Sequence, residues 1–294
     1  MTARNRAGPL CTHEDIVCTL VDFVGAKQFL FLATVSRLWR QAWGRRPTIT
    51  SWATQHSSAA QMLDSFESGL PDREEICAAI ARLGNLSALR RARQSDRRWN
   101  HRTCYEAAKG GHLHVLRWAV ENGCVLSVST YCGAAEAGHL AILQWAKNRG
   151  CPLTPLVCRV AAREGHLSAL RWARTNGCRW DNTTCSEAAG GGHLEVLKWA
   201  RDHGCPWNFW TCHLAARGGH LGVLKWARDS GCPWGEGTCS AAAFGGHLEV
   251  LQWARENGCP WDEWTLILAA QERQRRVVEW AERNGCPRPG WWRR

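Results

Sequence analysis

Two residue types recur at spacings that could build a metal or catalytic centre. Gly-His-Leu returns at His112, His139, His166, His193, His220 and His247, each His 27 residues after the last. Imidazoles in register could ligate a metal ion or act as general bases. Cysteines form two further columns, as in Cys178 with Cys185 and Cys205 with Cys212, and thiolates are zinc ligands and nucleophiles. Spacing argues against both chemistries. Stacked repeats lie about one helix diameter apart, roughly 10 Å, so successive His residues cannot share an ion. Each imidazole is expected instead to hydrogen-bond the backbone of its own inter-helix turn. Zinc ligands usually pair two to four residues apart, whereas the recurring Cys pair lies seven apart. Thiols at small, buried positions behave as apolar side chains. No strand leads into a glycine-rich loop with a phosphate-binding Lys, and no local carboxylate pair or Ser/His/Asp set is present. The reading is therefore of no catalytic residue, no metal and no cofactor.

The elements that carry these columns are helices. A Trp follows each His by six residues, at Trp118, Trp145, Trp172, Trp199, Trp226 and Trp253, and the beat continues to Trp280 behind Gln274. A fixed period of this length marks a stack of equal units, each too short to bury its own apolar face. In His193–Gly204, Leu194, Val196, Leu197, Trp199 and Ala200 form one wide apolar stripe at helical spacing, with Glu195, Lys198, Arg201 and Asp202 opposite. Gly204 suits the left-handed turn that ends a helix, and Pro206 blocks continuation. The same Gly-Cys-Pro ending stands at 150–152, 231–233, 258–260 and 285–287. A shorter first helix is expected to open on a capping box, with Thr184 as cap and Glu187 behind it. Its small residues Cys185, Ala188 and Ala189 would allow close helix approach, and Gly190, Gly191 and Gly192 would form the turn. The Trp column reads as packing on the apolar stripe. A second set, Trp180, Trp207, Trp234 and Trp261, reads as covering the entrance to the next unit.

The register runs from about residue 75 to 290 and gives eight units, the first and last degenerate. Terminal repeats are atypical because their outer face meets water. Apolar residues make up 45% of the chain and charged residues 21%, which fits a folded protein rather than disorder. The net charge of +11 is largely Arg beside acids on helix surfaces and reads as a solvated face. Its one concentration is Arg90, Arg91, Arg93, Arg97 and Arg98, read as a solvated cap, with nucleic acid as the alternative. The opening Met-Thr-Ala-Arg-Asn-Arg has no apolar run before a cleavage site. With no stretch approaching the roughly 18 apolar residues of a membrane span, the expectation is a chain in cytoplasm or nucleus, not secreted. The 16 Cys would then be reduced.

The stretch Cys212-His-Leu-Ala-Ala-Arg-Gly-Gly-His-Leu-Gly-Val-Leu-Lys-Trp-Ala-Arg-Asp-Ser-Gly231 resembles the two-helix core of an ankyrin repeat. The likeness covers about three-quarters of the chain. An ankyrin unit usually has 33 residues, so six are missing here, after Gly-Cys-Pro-Trp, where ankyrins build a β-turn finger. Short repeats of this kind are similar to those of large DNA viruses and some protists. The resemblance implies an all-α hairpin solenoid without that finger, a protein-binding role, a monomer and, if viral, a host-cell setting.

Residues 10–43 break the beat and resemble an F-box. The points of likeness are Glu14-Asp15-Ile16, Leu20, Phe23, Phe29-Leu30-Phe31-Leu32 and Val35-Ser-Arg-Leu-Trp39, with Leu10-Cys11 where an F-box usually has Leu-Pro. That likeness implies a module at 1–46 binding a Skp1-like adaptor through Leu10, Ile16, Leu20, Phe23, Leu30, Leu32, Val35 and Trp39. The other reading of the same spacing is a helical cap for the stack. Residues 47–74 read as a linker helix and 291–294 as a tail.

Where units disagree, the scaffold is indifferent and a partner can decide. Those positions give the target-binding candidates Tyr105, Lys109, Glu136, Arg159, Arg163, Phe209, Trp210, His213, Arg217, Glu236, Phe244, Glu263 and Trp264. The likeness to ankyrins places them on first helices and adjoining loops, the concave side. The alternative is drift on an unselected surface. The function expected is that of a substrate-recruiting adaptor of an SCF-type ubiquitin ligase. The alternatives are a stand-alone binder whose head only caps the stack, and a nucleic-acid-binding solenoid. No membrane partner is expected.

Overall fold

The computed structural model describes residues 75–95 and 98–291 of the 294-residue chain. The F-box-like segment, the linker helix and Arg97 lie outside the described residues. Sixteen helices and no strand occur among the described residues. They pair into antiparallel hairpins, so the chain is an all-α helical-hairpin repeat solenoid. No described helix is long and apolar enough to cross a membrane.

The chain divides into two compact units, 1–130 and 131–294. In the first, helix α1 (Glu75–Arg82) turns into α2 (Leu86–Gln94), and α3 (His101–Lys109) into α4 (Leu113–Glu121). Helix α5 (Val128–Glu136) spans the division, and its partner α6 (Leu140–Asn148) lies in the second unit. Five more hairpins follow: α7 (Pro155–Arg163) with α8 (Leu167–Thr175), α9 (Asn182–Gly190) with α10 (Leu194–Asp202), and α11 (Phe209–Arg217) with α12 (Leu221–Asp229). Helix α13 (Glu236–Phe244) with α14 (Leu248–Glu256) and α15 (Glu263–Gln271) with α16 (Arg275–Arg283) complete the stack. From α10 the chain reaches α11 through residues 203–208, with no projecting finger.

The first helix of a hairpin is as long as the second, nine residues in both α9 and α10. It begins earlier than the expected capping box, because Asp181, not Thr184, is the cap. The Asp181 carboxylate accepts from the Thr183 amide at 3.0 Å. Asn100, Asn208 and Asp262 cap α3, α11 and α15 in the same way. In each of these hairpins the cap directly follows a Trp: Trp99-Asn100, Trp180-Asp181, Trp207-Asn208 and Trp261-Asp262. Thr184 instead lies inside the helix, buried, with its hydroxyl unpaired.

Packing between neighbours is dominated by the first helices: α1 on α3, α7 on α9, α9 on α11, α11 on α13 and α13 on α15. Their facing residues are small. Cys185, Ala188 and Ala189 are all buried, and a side chain on Gly190 would meet Leu214 Cβ at 3.2 Å. The second helices supply the bulk, with Leu170, Leu197, Leu224 and Leu251 fully buried beneath them.

The Trp column does not sit in that core. Trp145 is buried, but Trp118, Trp172, Trp199, Trp226, Trp253 and Trp280 are half-buried. Each apolar stripe is wider than the core beneath it, and Val and Leu take the centre while the indole takes the edge. There Trp199 meets Trp180 edge-on at 5.8 Å, and Trp226, Trp253 and Trp280 meet Trp207, Trp234 and Trp261 alike. The preceding hairpin closes over this pair. Arg174 lies 4.0 Å from the Trp180 ring, and Arg201, Arg228 and Arg255 repeat the contact on Trp207, Trp234 and Trp261. The same guanidinium groups donate to the carbonyls of Cys178, Cys205, Cys232 and Cys259. These four Arg residues are thus part of the scaffold rather than of a solvated face. In the Arg90–Arg98 cluster, Arg93 covers Trp99 at 4.4 Å and Arg90 approaches Trp118 at 5.7 Å.

Candidate functional site

The His column points elsewhere than its own turn. His112 Nε2 bonds the Arg82 carbonyl at 2.9 Å, and His166, His220 and His247 reach Glu136, Gly190 and Arg217. Every one of these carbonyls lies 30 residues back, at the C-terminal end of the preceding first helix. An imidazole donating from Nε2 therefore satisfies a carbonyl that its own helix leaves open. The ring also lies against the left-handed glycine of the preceding turn: a Cβ on Gly192 (φ +78°) would stand 2.6 Å from His220 Nδ1. The His residues are staples between repeats. In the last hairpin Gln274 takes the same place against Gly246. No His follows that hairpin, and its turn residue is Arg273, the one described non-Gly residue with positive φ, at 58°.

The cysteines pair differently from the sequence reading. The partners lie 20 residues apart within one hairpin, first helix to closing loop. Cys104 Sγ donates to Cys124 Sγ at 3.1 Å. Cys185, Cys212 and Cys239 turn their thiols toward the backbone carbonyls of Cys205, Cys232 and Cys259 at 3.9, 4.0 and 4.0 Å, and Cys158 and Cys178 hold the matching positions. The loop thiol in turn donates to the cap carbonyl that opens its hairpin, as Cys205 does to Asp181 at 3.3 Å and Cys178 to Thr154 at 3.1 Å. The contact from its partner thiol pulls each loop thiol below its ordinary value against the opposing effect of burial, while the helix thiol is pushed up by the same contact and by burial. None of the described cysteines forms a disulfide. Where the helix position is not Cys, Tyr131 donates to the Cys151 carbonyl at 3.2 Å, and Leu266 packs on Cys286. No group of three or more His, Cys, Asp or Glu gathers among the described residues.

The target-binding candidates divide by exposure. Arg159, Arg163, Phe209, Trp210, Arg217, Glu236, Glu263 and Trp264 are exposed, and Tyr105, Lys109, Glu136, His213 and Phe244 are half-buried. Glu136 and Arg163 form an ion pair at 3.3 Å across neighbouring hairpins, so they also tie the scaffold. Lys109 lies 5.7 Å from its own Tyr105 ring. At the register of Tyr105, Arg159 and His213 the other hairpins carry Cys132, Ser186, Ser240 and Ile267, which are buried and face the stack. Ser186 and Ser240 return their hydroxyls to the Thr183 and Gly237 carbonyls at 3.1 and 3.2 Å.

One continuous group remains, on α11. Phe209 and Trp210 are 49% and 47% exposed with ring centroids 5.0 Å apart, and Trp210 meets the His213 ring at 4.8 Å. Two turns on, Arg217 lies 4.6 Å from the Phe244 ring of the next first helix. Burial holds the His213 imidazole below its ordinary value, and the Arg217 charge adds to that; a bond to the Gly237 backbone opposes it. On α15, Trp264 is 53% exposed at the position matching Trp210.

Neither a family model nor a curated protein matches the chain. Among solved structures, it is similar to the ankyrin repeat domain of human ASB11 at 17% identity and a TM-score of 0.46, covering 60% of this chain and 96% of that one.

Proposed function

We propose that this chain is a non-enzymatic protein-binding adaptor that takes a target on the first-helix surface around α11. The observation that carries this reading is the half-exposed Phe209–Trp210 pair. Nothing in the scaffold asks for aromatic residues there: the matching positions hold Asn182-Thr183 in α9 and Glu236-Gly237 in α13. Two large rings left partly in water forgo apolar burial that a partner's groove would supply, and Trp is prominent among residues that dominate protein interfaces. His213 and Arg217 give the same face polar groups to orient the partner.

The finer reading gives the target a destination. The likeness of residues 10–43 to an F-box supports a head that binds a Skp1-like adaptor, so that the solenoid would hold a target lysine at high effective concentration near a ligase. The stand-alone binder differs only in lacking that head. The nucleic-acid alternative rests on the Arg90–Arg98 cluster, of which Arg93 covers Trp99 and Arg90 approaches Trp118.

Co-expression of the full chain with a Skp1-like protein tests the head. The complex should co-purify and be lost on changing Leu20 and Leu32 to Asp while the thermal midpoint of the solenoid holds; absence of a complex with the parent chain removes the ligase reading. Proximity labelling tests the surface. Phe209→Ser with Trp210→Ser should abolish labelling of a protein that the parent chain enriches, with stability changed by less than about 0.5 kcal/mol. Unchanged labelling contradicts a site on α11.

A further inference from the structure

The cysteine pairs carry a chemistry that neither packing nor partner binding uses. Cys104 and Cys124 are 0% and 4% exposed, and their sulfurs stand 3.1 Å apart in direct thiol–thiol contact. A disulfide bond is about 2.05 Å long, so the two sulfurs need to close by only about 1 Å. A residue chosen merely to fill space needs no partner of its own kind. At the same register Cys185, Cys212 and Cys239 lie against their loop cysteines, thiol to carbonyl, at 3.9, 4.0 and 4.0 Å, and Cys158 stands 20 residues before Cys178. The pairs also divide labour. The Cys124 sulfur accepts from the Cys104 thiol while its own hydrogen is held by the Asn100 carbonyl at 3.3 Å, and the nearby Arg93 charge favours the thiolate once that hydrogen is lost, as the Arg201 charge does for Cys205. The helix thiol is held protonated.

We propose that Cys104–Cys124 and the four pairs at the same register, Cys158–Cys178, Cys185–Cys205, Cys212–Cys232 and Cys239–Cys259, are latent disulfides that a small peroxide closes. When the hairpin opens, the loop thiol leaves the cap carbonyl and loses its proton to water; the thiolate attacks one peroxide oxygen, the O–O bond breaks, hydroxide leaves and takes up a proton, and a sulfenic acid forms. The helix-position sulfur then attacks the sulfenic sulfur, its proton and the sulfenic hydroxyl leave as water, and the S–S bond is made. Two thiols and hydrogen peroxide thus give one disulfide and two waters. Each bridge joins the first helix to the loop that closes the same hairpin, fastening a repeat upon itself without linking it to a neighbour. The rate is set by hairpin opening, because the sulfurs are covered.

The test uses the full chain, reduced, desalted and treated with hydrogen peroxide just below its thermal midpoint, where hairpins open. It is then unfolded, alkylated and mapped by mass spectrometry. The proposal expects peptides bridged in those five pairings, each lighter by two hydrogens, reversed by dithiothreitol and accompanied by a higher thermal midpoint. Cys185→Ala should remove one bridge, leave Cys205 alkylatable or over-oxidised, and spare the other four. Thiols that all stay reduced, bridges in other pairings such as Cys178–Cys185, or sulfinic acids in place of bridges overturn it.

Discussion

At the scale of the residue, two kinds of glycine share one backbone conformation for different reasons. Gly192 and Gly204 have φ of +78° and +79°. The first is crowded by the His220 ring, while no atom comes within 4 Å of a Cβ built on the second. Asn tolerates the left-handed region, so Gly204→Asn should cost less than about 1 kcal/mol. Gly192→Asn must also displace the ring and its bond to the Gly190 carbonyl, and should cost about 2 kcal/mol or more. Denaturant melts of the two variants check this, and equal losses would contradict it. Thr184 supplies a second contrast. As a cap its loss would cost about 1 kcal/mol, but as a buried, unpaired hydroxyl it is replaced by the isosteric Val at no loss or with a gain. A Thr184→Val variant that melts at or above the parent supports the cap at Asp181, and a clear loss of stability restores the capping box.

At the scale of the element, the sequence made the second helix plain and the first helix less so. The stripe Leu194, Val196, Leu197 and Trp199 has one period and Gly204-Cys-Pro206 closes it, so its limits were legible. The start of α9 was missed because two helical N-terminal signals overlap, Asp181 and Thr184. Which one caps depends on where Trp180 docks, and that is a tertiary contact. The partner of each His was equally out of reach. Its own turn and the preceding helix end both offer a carbonyl, and only stacking selects the second. The variable column was half legible: Arg159 is exposed, but Ser186 and Ile267 face inward because the first helix leans on its neighbour. His213 is held below its ordinary 6.5 by burial, with the Arg217 charge adding to it. The unfolded chain therefore binds a proton first as pH falls through about 6.5, so this residue's contribution to stability is largest above that pH and is lost below it. His213→Gln should show a smaller fall in thermal midpoint than the parent between about pH 7.5 and about pH 5.5. Parallel profiles would show that His213 titrates as it does in the unfolded chain.

At the scale of the whole molecule, repeats couple through close first-helix packing, the His staples and the Arg–Trp contacts. A solenoid draws its cooperativity from such nearest-neighbour terms. Coupling between repeats therefore turns on whether a His serves its neighbour or itself. Hydrogen exchange of the full chain and its His220→Ala variant measures this directly. Loss of the staple should speed amide exchange in both hairpins that it joins, from α9 through α12, with the α9 end around Gly190 affected as strongly as the turn at Gly218–His220. Faster exchange confined to residues 218–220, with α9 unchanged, would mean that the ring serves only its own turn, and would contradict the account.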